Sequence, residues 1–171
     1  IDSTGIQGWA MHDDGNIGNE ITIDNLQIAD LDFGKAPIVI EAESGSHGEY
    51  FSLQTDGDVT YITTTENYTG ADNPGDPRRM AAYQVDFEDS GYYNFFVRVR
   101  VGPDEFDDDS FFYGYGFGEK DATVVADWMM VNGLGSAGFT NASEFVDGPG
   151  IAGTETWKWV NITKNGYHSS A

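Results

Sequence analysis

Hydrophobic and polar residues alternate along much of the chain with the period of two that is typical of a β-strand. The segment 93–101 shows this best, because its odd-numbered positions are all apolar: Tyr93, Phe95, Val97, Val99 and Val101. Its even-numbered positions include Arg98 and Arg100, so one face of this strand is predicted to be buried and the other to face solvent. Apolar residues keep the spacing of an amphipathic helix for no more than about two turns anywhere, and we therefore expect almost no helix.

Glycine and proline residues, 22 and 5 in number, separate short runs rich in Val, Ile, Tyr, Phe and Thr. This punctuation predicts an all-β chain. The predicted strands are Glu20–Ile28, Ile38–Glu43, Val59–Thr64, Arg79–Phe87, Tyr92–Val101, Ser110–Tyr115, Ala126–Val131 and Thr156–Ile162. Strands repeated every 10 to 15 residues or so favour a β-sandwich of two antiparallel sheets, with the jelly roll as the expected topology.

The chain is strongly acidic, with 29 Asp and Glu against 8 Lys and Arg and a formal net charge of −21. Nucleic acids and anionic membrane surfaces are bound mainly through Lys and Arg, so neither is an expected partner. High net charge also occurs in disordered chains, but 39% hydrophobic residues supply enough apolar surface for folding. We expect a folded protein.

The 171 residues suit one domain, or one domain with a piece of a neighbour, and contain no cysteine. A disulfide framework, a thiolate nucleophile and a cysteine zinc site are therefore excluded. No stretch approaches the roughly 18 apolar residues of a membrane span, and the N-terminus lacks the pattern of a signal peptide. The composition fits a bacterial extracellular protein, so we expect a fragment of a longer secreted chain.

Three segments resemble a known family of domains. The first is the run Ile38–Gly45, in which Glu41 and Glu43 share one strand face. The others are a strand, turn and strand over 82–100 and a late strand headed by Trp157, within 153–162. In this order they resemble the carbohydrate-binding modules of families 6 and 35, which are galactose-binding-like jelly rolls attached to secreted polysaccharide-degrading enzymes. The resemblance covers residues 38–162.

The family's last strand is missing after the late strand, but the segment 21–28 looks like it. Two arrangements fit. Residues 1–171 form a single, circularly permuted carbohydrate-binding β-sandwich, or residues 1–33 are the tail of a preceding domain and 38–171 are the module. We favour the first, because the second leaves an open sheet edge. Exchange of the N-terminal strand between two chains, which would give a dimer, is a further alternative.

The resemblance implies a structural calcium ion bound by Glu41, Glu43 and Asp24. Calcium takes six to eight oxygen ligands, and uncompensated carboxylates on adjacent strands would repel one another. The alternative is a pair of exposed glutamates with no ion. The run between Asp104 and Asp109 is interpreted as a solvated turn, with a second cation site as its alternative.

Sugar rings stack on aromatic side chains while polar groups bind their hydroxyls. In family 6 a second Trp, about three residues before the one at the strand head, commonly binds sugar, but Thr154 stands near that position here. We expect other residues to replace it. The predicted carbohydrate-binding residues are Tyr113, Tyr115 and Trp128 with Asp127 and Asn132 as polar partners, and Tyr68 and Trp157 as further candidates. For each one the alternative is a core aromatic or a solvated polar side chain.

The predicted function is a non-catalytic carbohydrate-binding module that tethers a catalytic domain of the same parent chain to plant or algal polysaccharide, above all xylan or a related β-glycan. Catalysis has less support, because none of His12, His47 and His168 lies in a nucleophile motif such as G-x-S-x-G. Two alternatives remain. One is a small jelly-roll glycoside hydrolase or polysaccharide lyase, and the other is a calcium-stabilised structural or adhesion domain.

Overall fold

The computed structural model describes residues 6–12, 22–30, 36–70, 72–104, 107–135, 145–146, 153–163 and 168–169. The strands in these ranges are β1 (Ile6–His12), β2 (Thr22–Asp30), β3 (Ile38–Glu41), β4 (Ser46–His47), β5 (Phe51–Asp56), β6 (Val59–Thr64), β7 (Ala81–Tyr83), β8 (Tyr93–Arg100), β9 (Ser110–Gly114), β10 (Trp128–Val131), β11 (Phe145–Val146), β12 (Lys158–Asn161) and β13 (His168–Ser169). Helical structure here is limited to short 3-10 turns. None of them is long and apolar enough to cross a membrane. The all-β prediction is confirmed.

The strands form two sheets. The first has the order β13-β10-β9-β1-β7-β4, and the second has the order β11-β12-β8-β2-β6-β5 with β3 beside β2. Strand pairing is antiparallel except between β11 and β12. The jelly-roll connection of these strands stays a prediction.

The core lies between the two sheets, because the alternating strands turn their apolar faces toward each other. In β8, Val97 and Val99 are fully buried, as the period of two predicts. They belong to one cluster with Leu26 of β2 and with Phe111 and Val131 of the first sheet. Full burial of such a side chain contributes roughly 1.5–3 kcal/mol.

A second, smaller cluster lies on the other face of the first sheet. Phe111 faces the main core, so its neighbour Phe112 faces away from it, beside Trp128 and Met130. Tyr68 and Met80, from the segment that connects β6 with β7, pack over this cluster. Tyr68 and Met80 therefore cover part of this face of the first sheet.

Both described strands of the N-terminal segment are interior strands. β1 lies between β9 and β7 in the first sheet. β2 pairs with β8 from Thr22, opposite Arg100, to Asp30, opposite Tyr93, and its other edge pairs with β3 and β6. The N-terminal segment thus supplies a central strand to each sheet within one chain.

The observed strands differ from the predicted ones in several places. The strands absent from the prediction are β1, β4, β5, β11 and β13, and the predicted strand Ile38–Glu43 ends at Glu41. β5 is not among the predicted strands, because only Phe51 and Leu53 of its six residues are apolar, yet it pairs with β6 over its whole length. The predicted strand Arg79–Phe87 is reduced to Ala81–Tyr83, since a 3-10 turn that begins at Pro77 takes up its start. The C-terminal tail also carries a short strand, β13, which pairs with β10.

Candidate carbohydrate-binding groove

Asp24 lies on a β-bulge in β2. Ile23 pairs with Val99 and Asn25 pairs with Arg98, so Asp24 is the extra residue between them. Its side chain is almost fully buried, and its carboxylate accepts a hydrogen bond from the Arg98 guanidinium. Because Val97 and Val99 point into the core, Arg98 points to the solvent-facing side of the second sheet. The bulge therefore places the buried carboxylate of Asp24 on the same side of the second sheet as Arg98.

The same guanidinium contacts an aromatic pair. The Cζ atom of Arg98 lies 5.5 Å from the centroid of the Trp157 ring, which follows the cation–π geometry. The centroids of the Trp157 and Tyr61 rings are 5.5 Å apart, with the ring planes at 60°. The indole Nε1 of Trp157 is buried and has no hydrogen-bond partner among the described residues. The pair therefore contributes aromatic rings beside Arg98, whereas the indole N–H is buried.

A groove of about 450 Å³ begins beside Tyr61, on the solvent-facing side of the second sheet. Its volume lies within the usual range of small-ligand sites. Ser52 is opposite Thr63 and Gln54 is opposite Tyr61, so alternate residues of β5 and β6 form its floor. The lining residues are Thr22, Ser52, Gln54, Tyr61, Thr63, Thr64, Arg100, Gly102, Pro103 and Glu155. Hydroxyl, amide and guanidinium groups predominate.

The charges of this face are close to balanced, in contrast to the chain as a whole. Arg98 and Arg100 are two of only 8 basic residues. Arg98 is paired with Asp24. The Nη1 atom of Arg100 lies 3.5 Å from Oδ2 of Asp56, at the long end of an ion pair, and both side chains are partly exposed. Glu155, an exposed lining residue, adds a third carboxylate to Asp24 and Asp56, against the two Arg. The groove therefore has little of the negative charge that dominates the sequence.

Trp128 and Tyr68 lie in the second cluster rather than in an open site. Trp128 is 3% exposed, and its Nε1 donates a hydrogen bond of 2.8 Å to the carbonyl of Asp121. The guanidinium of Arg79 lies 4.1 Å from the centroid of the Tyr68 ring. In this arrangement Trp128 offers no open ring face to a sugar.

The remaining predicted sugar-binding residues are spread over the molecule. Tyr113 faces the gap between the sheets, where burial and then the nearby Tyr115 raise its pKa. Tyr115 is 66% exposed, and its backbone N–H donates to the carbonyl of Asp127. Asn132 follows the opposite end of β10, and Trp157 lies beside the second sheet. Of this set, only Trp157 contacts a residue of the groove.

Sequence reasoning missed most of the groove. Thr22, Ser52, Gln54 and Thr63 are small or neutral side chains with no chemical signature of their own. The available signal was the polar alternation in β5, because Ser52 and Gln54 stand two residues apart on one face.

The predicted calcium ligands are not assembled in this structure. Glu41 is exposed at the end of β3, and Glu43 is half-buried in the following 3-10 turn, where its Oε2 has no hydrogen-bond partner. Asp24 is held by Arg98. In the part of the chain that the structure describes, no group of three or more His, Asp or Glu side chains is placed to hold a metal ion. Calcium binding stays a prediction of the family resemblance.

The aspartates before β9 correct another expectation. Asp108 and Asp109 are 1% and 0% exposed, so the interpretation as a solvated turn is wrong for both. Oδ2 of Asp108 accepts a hydrogen bond of 2.9 Å from the backbone N–H of Asp104, and Oδ2 of Asp109 accepts one of 2.8 Å from Gly135. These carboxylates stabilise the loops at the start of β9.

Comparison of the chain with protein-family models, with curated proteins and with solved structures gave no match.

Proposed function

We propose that this protein is a non-catalytic carbohydrate-binding module that binds a neutral β-glycan, with xylan as the leading ligand, along the groove of the second sheet. The observation that carries the proposal is the Tyr61 ring, which is in contact with Trp157 and lines a groove whose other groups are mainly neutral hydrogen-bonding ones. Sugar rings have apolar C–H faces and polar edges, so they need both kinds of surface together.

The polar lining supplies partners for sugar hydroxyls. Thr22, Ser52 and Thr63 can each donate and accept, and Gln54 offers an amide group. A neutral glycan forms such bonds without the desolvation cost of burying a charge. The near balance of charge on this face, despite the net charge of −21, favours a neutral ligand.

The aromatic pair of Tyr61 and Trp157 is held in place before the ligand binds. Asp24 fixes the Arg98 guanidinium, and the guanidinium in turn lies against Trp157. A rigid site loses less conformational entropy on binding than a mobile one. Arg98 and Asp24 are positioning residues in this proposal, whereas Tyr61 contacts the sugar.

A module of this kind increases the local concentration of substrate for a catalytic domain in the same secreted parent chain, without chemistry of its own. The test is affinity gel electrophoresis of the chain in neutral xylan, mixed-linkage glucan and acidic plant and algal polysaccharides. Retardation by neutral β-glycans without release of sugar is the expected result. Migration unchanged in every neutral polysaccharide would contradict the proposal.

A polysaccharide lyase is the second candidate, because Tyr61, Arg100 and Glu155 line the same groove. A lyase needs a base and a cation that stabilises the charge developing on an acidic sugar. The same polysaccharides, incubated with the chain and assayed for unsaturated products by ultraviolet absorbance, separate the two functions. Product release from an acidic glycan would favour the lyase.

A further inference from the structure

The gap between the two sheets is incompletely filled where β8 begins. Tyr93 and Phe95 lie on the inward face of β8, in line with Val97. Phe95 meets Tyr113 of the first sheet edge-on, with ring centroids 6.5 Å apart. Beyond these rings a cavity of about 150 Å³ remains.

Two rings from loops complete the wall of this cavity. Phe87 packs edge-on against Tyr93, with centroids 4.9 Å apart, and against Phe117, with centroids 5.4 Å apart. Phe117 is 52% exposed, so the cavity wall reaches solvent there. The aromatic pocket, as we call it, is lined by Ile28, Phe87, Tyr93, Phe95, Tyr113, Gly114, Gly116 and Phe117.

An acidic cavity adjoins the aromatic pocket and shares Ile28 and Tyr93 with it. It has a volume of about 450 Å³, and its wall includes Asp86, Glu88 and Asp89. Asp86 and Glu88 are exposed. None of the described residues that line either cavity is Lys or Arg. The aromatic pocket therefore lies next to the carboxylates of Asp86, Glu88 and Asp89.

We propose that the aromatic pocket is a second ligand site, which binds a small organic cation of the trimethylammonium type. Aromatic faces attract a cation that lies within about 6 Å of the ring centroid, and five rings surround this cavity. A cavity of about 150 Å³ is large enough for a group the size of benzene. The acidic rim then favours a positive ligand over a neutral one of equal shape. This proposal is independent of the groove, since the two sites share no residue.

The test compares choline with 3,3-dimethylbutan-1-ol, its neutral isostere with carbon in place of nitrogen. Each is titrated into the isotopically labelled chain, and the ring and backbone signals of Tyr93 and Phe117 are followed by NMR. Choline should bind at least tenfold more tightly than the alcohol. Equal affinity for the two compounds, or no binding of choline, would overturn the proposal.

Two variants locate the site. Phe117→Leu removes one exposed ring without emptying the core, and it should weaken choline binding several-fold. Glu88→Gln should weaken choline binding as well. Asp107→Asn is the charge-matched control and should not weaken it, because the exposed Asp107 precedes β9 whereas the pocket residue Gly114 ends that strand. If Phe117→Leu has no effect, or if Asp107→Asn weakens binding as much as Glu88→Gln does, the aromatic pocket is not the site.

Discussion

The guanidinium of Arg98 binds the buried carboxylate of Asp24 and at the same time lies 5.5 Å from the centre of the Trp157 ring. One side chain thus compensates a buried charge and orients an aromatic ring beside the groove. Loss of either partner of a buried ion pair leaves the other without compensation, which costs more than the pair itself contributes. The fold and the proposed site therefore depend on the same contact.

Arg98→Met should lower the free energy of unfolding by about 3 kcal/mol, because Asp24 is then left buried without its counter-ion. The double variant Asp24→Asn with Arg98→Met should recover part of that loss. Denaturant unfolding of both variants and of Asp24→Asn alone gives the coupling energy. Strictly additive effects of the two substitutions would contradict the pairing.

Gly48 lies against the backbone that precedes β7, and its N–H donates a hydrogen bond of 2.8 Å to the carbonyl of Met80. A Cβ atom at this position would stand 2.2 Å from the carbonyl oxygen of Arg78. We expect Gly48→Ala to destabilise the fold by about 2–3 kcal/mol, since backbone has to shift. Gly91→Ala is the control, because its nearest atom is 3.8 Å away, in the Tyr93 ring. Equal unfolding midpoints for the two variants would refute this close approach.

The Arg78 side chain and backbone N–H both donate to the carboxylate of Asp76 and lower its pKa to about 2, from a usual value of 3.8. A carboxyl group whose pKa is lower in the folded state stabilises the fold above its unfolded pKa. That contribution is lost as the pH falls through the folded pKa, so the window here runs from pH 3.8 down to about 2.

Because Asp76 caps the 3-10 turn that immediately precedes Met80, protonation of Asp76 should loosen the packing of Met80 over Trp128. An NMR titration of the Asp76 side-chain carboxyl measures the pKa directly. A midpoint at the ordinary value would show that the Arg78 contact does not persist in solution.

The structure and the family resemblance predict opposite results of chelation. Because Arg98 occupies the carboxylate of Asp24, the structure predicts that chelation leaves the stability unchanged. We expect the melting temperature in excess EDTA to agree with that in excess calcium to about 1 °C, less than the shift that 1 kcal/mol produces in a chain of this size. A fall of several degrees in EDTA, reversed by calcium, would show that Asp24 binds a metal ion in place of Arg98. That result would support the predicted calcium site.

Local alternation predicts much of the fold, because a strand's two faces are visible in its own residues. The pattern of β8 separates the buried Val97 and Val99 from Arg98 and Arg100, and β6 has the predicted bounds. Alternation does not show a bulge. The extra residue at Asp24 is set by the pairing with β8, far along the chain.

The site is harder to predict, because what covers a face is decided by distant segments. Trp128 and Trp157 both stand where a strand begins, or next to it. Trp128 is covered by Tyr68 and Met80, more than forty residues earlier in the chain, whereas Trp157 contacts Tyr61 at the groove. Nothing in the neighbouring residues of either Trp distinguishes the two.

The most direct test of the groove is the affinity of the wild-type chain, Tyr61→Ala and Tyr115→Ala for soluble xylan, measured by isothermal titration calorimetry. Tyr61 lines the groove, whereas Tyr115 is a more exposed tyrosine that follows β9 of the first sheet and serves as the matched control. We predict that Tyr61→Ala weakens binding by at least about tenfold, as expected for a central aromatic contact, and that Tyr115→Ala binds like the wild type. Full binding by Tyr61→Ala, or a loss confined to Tyr115→Ala, would contradict the account.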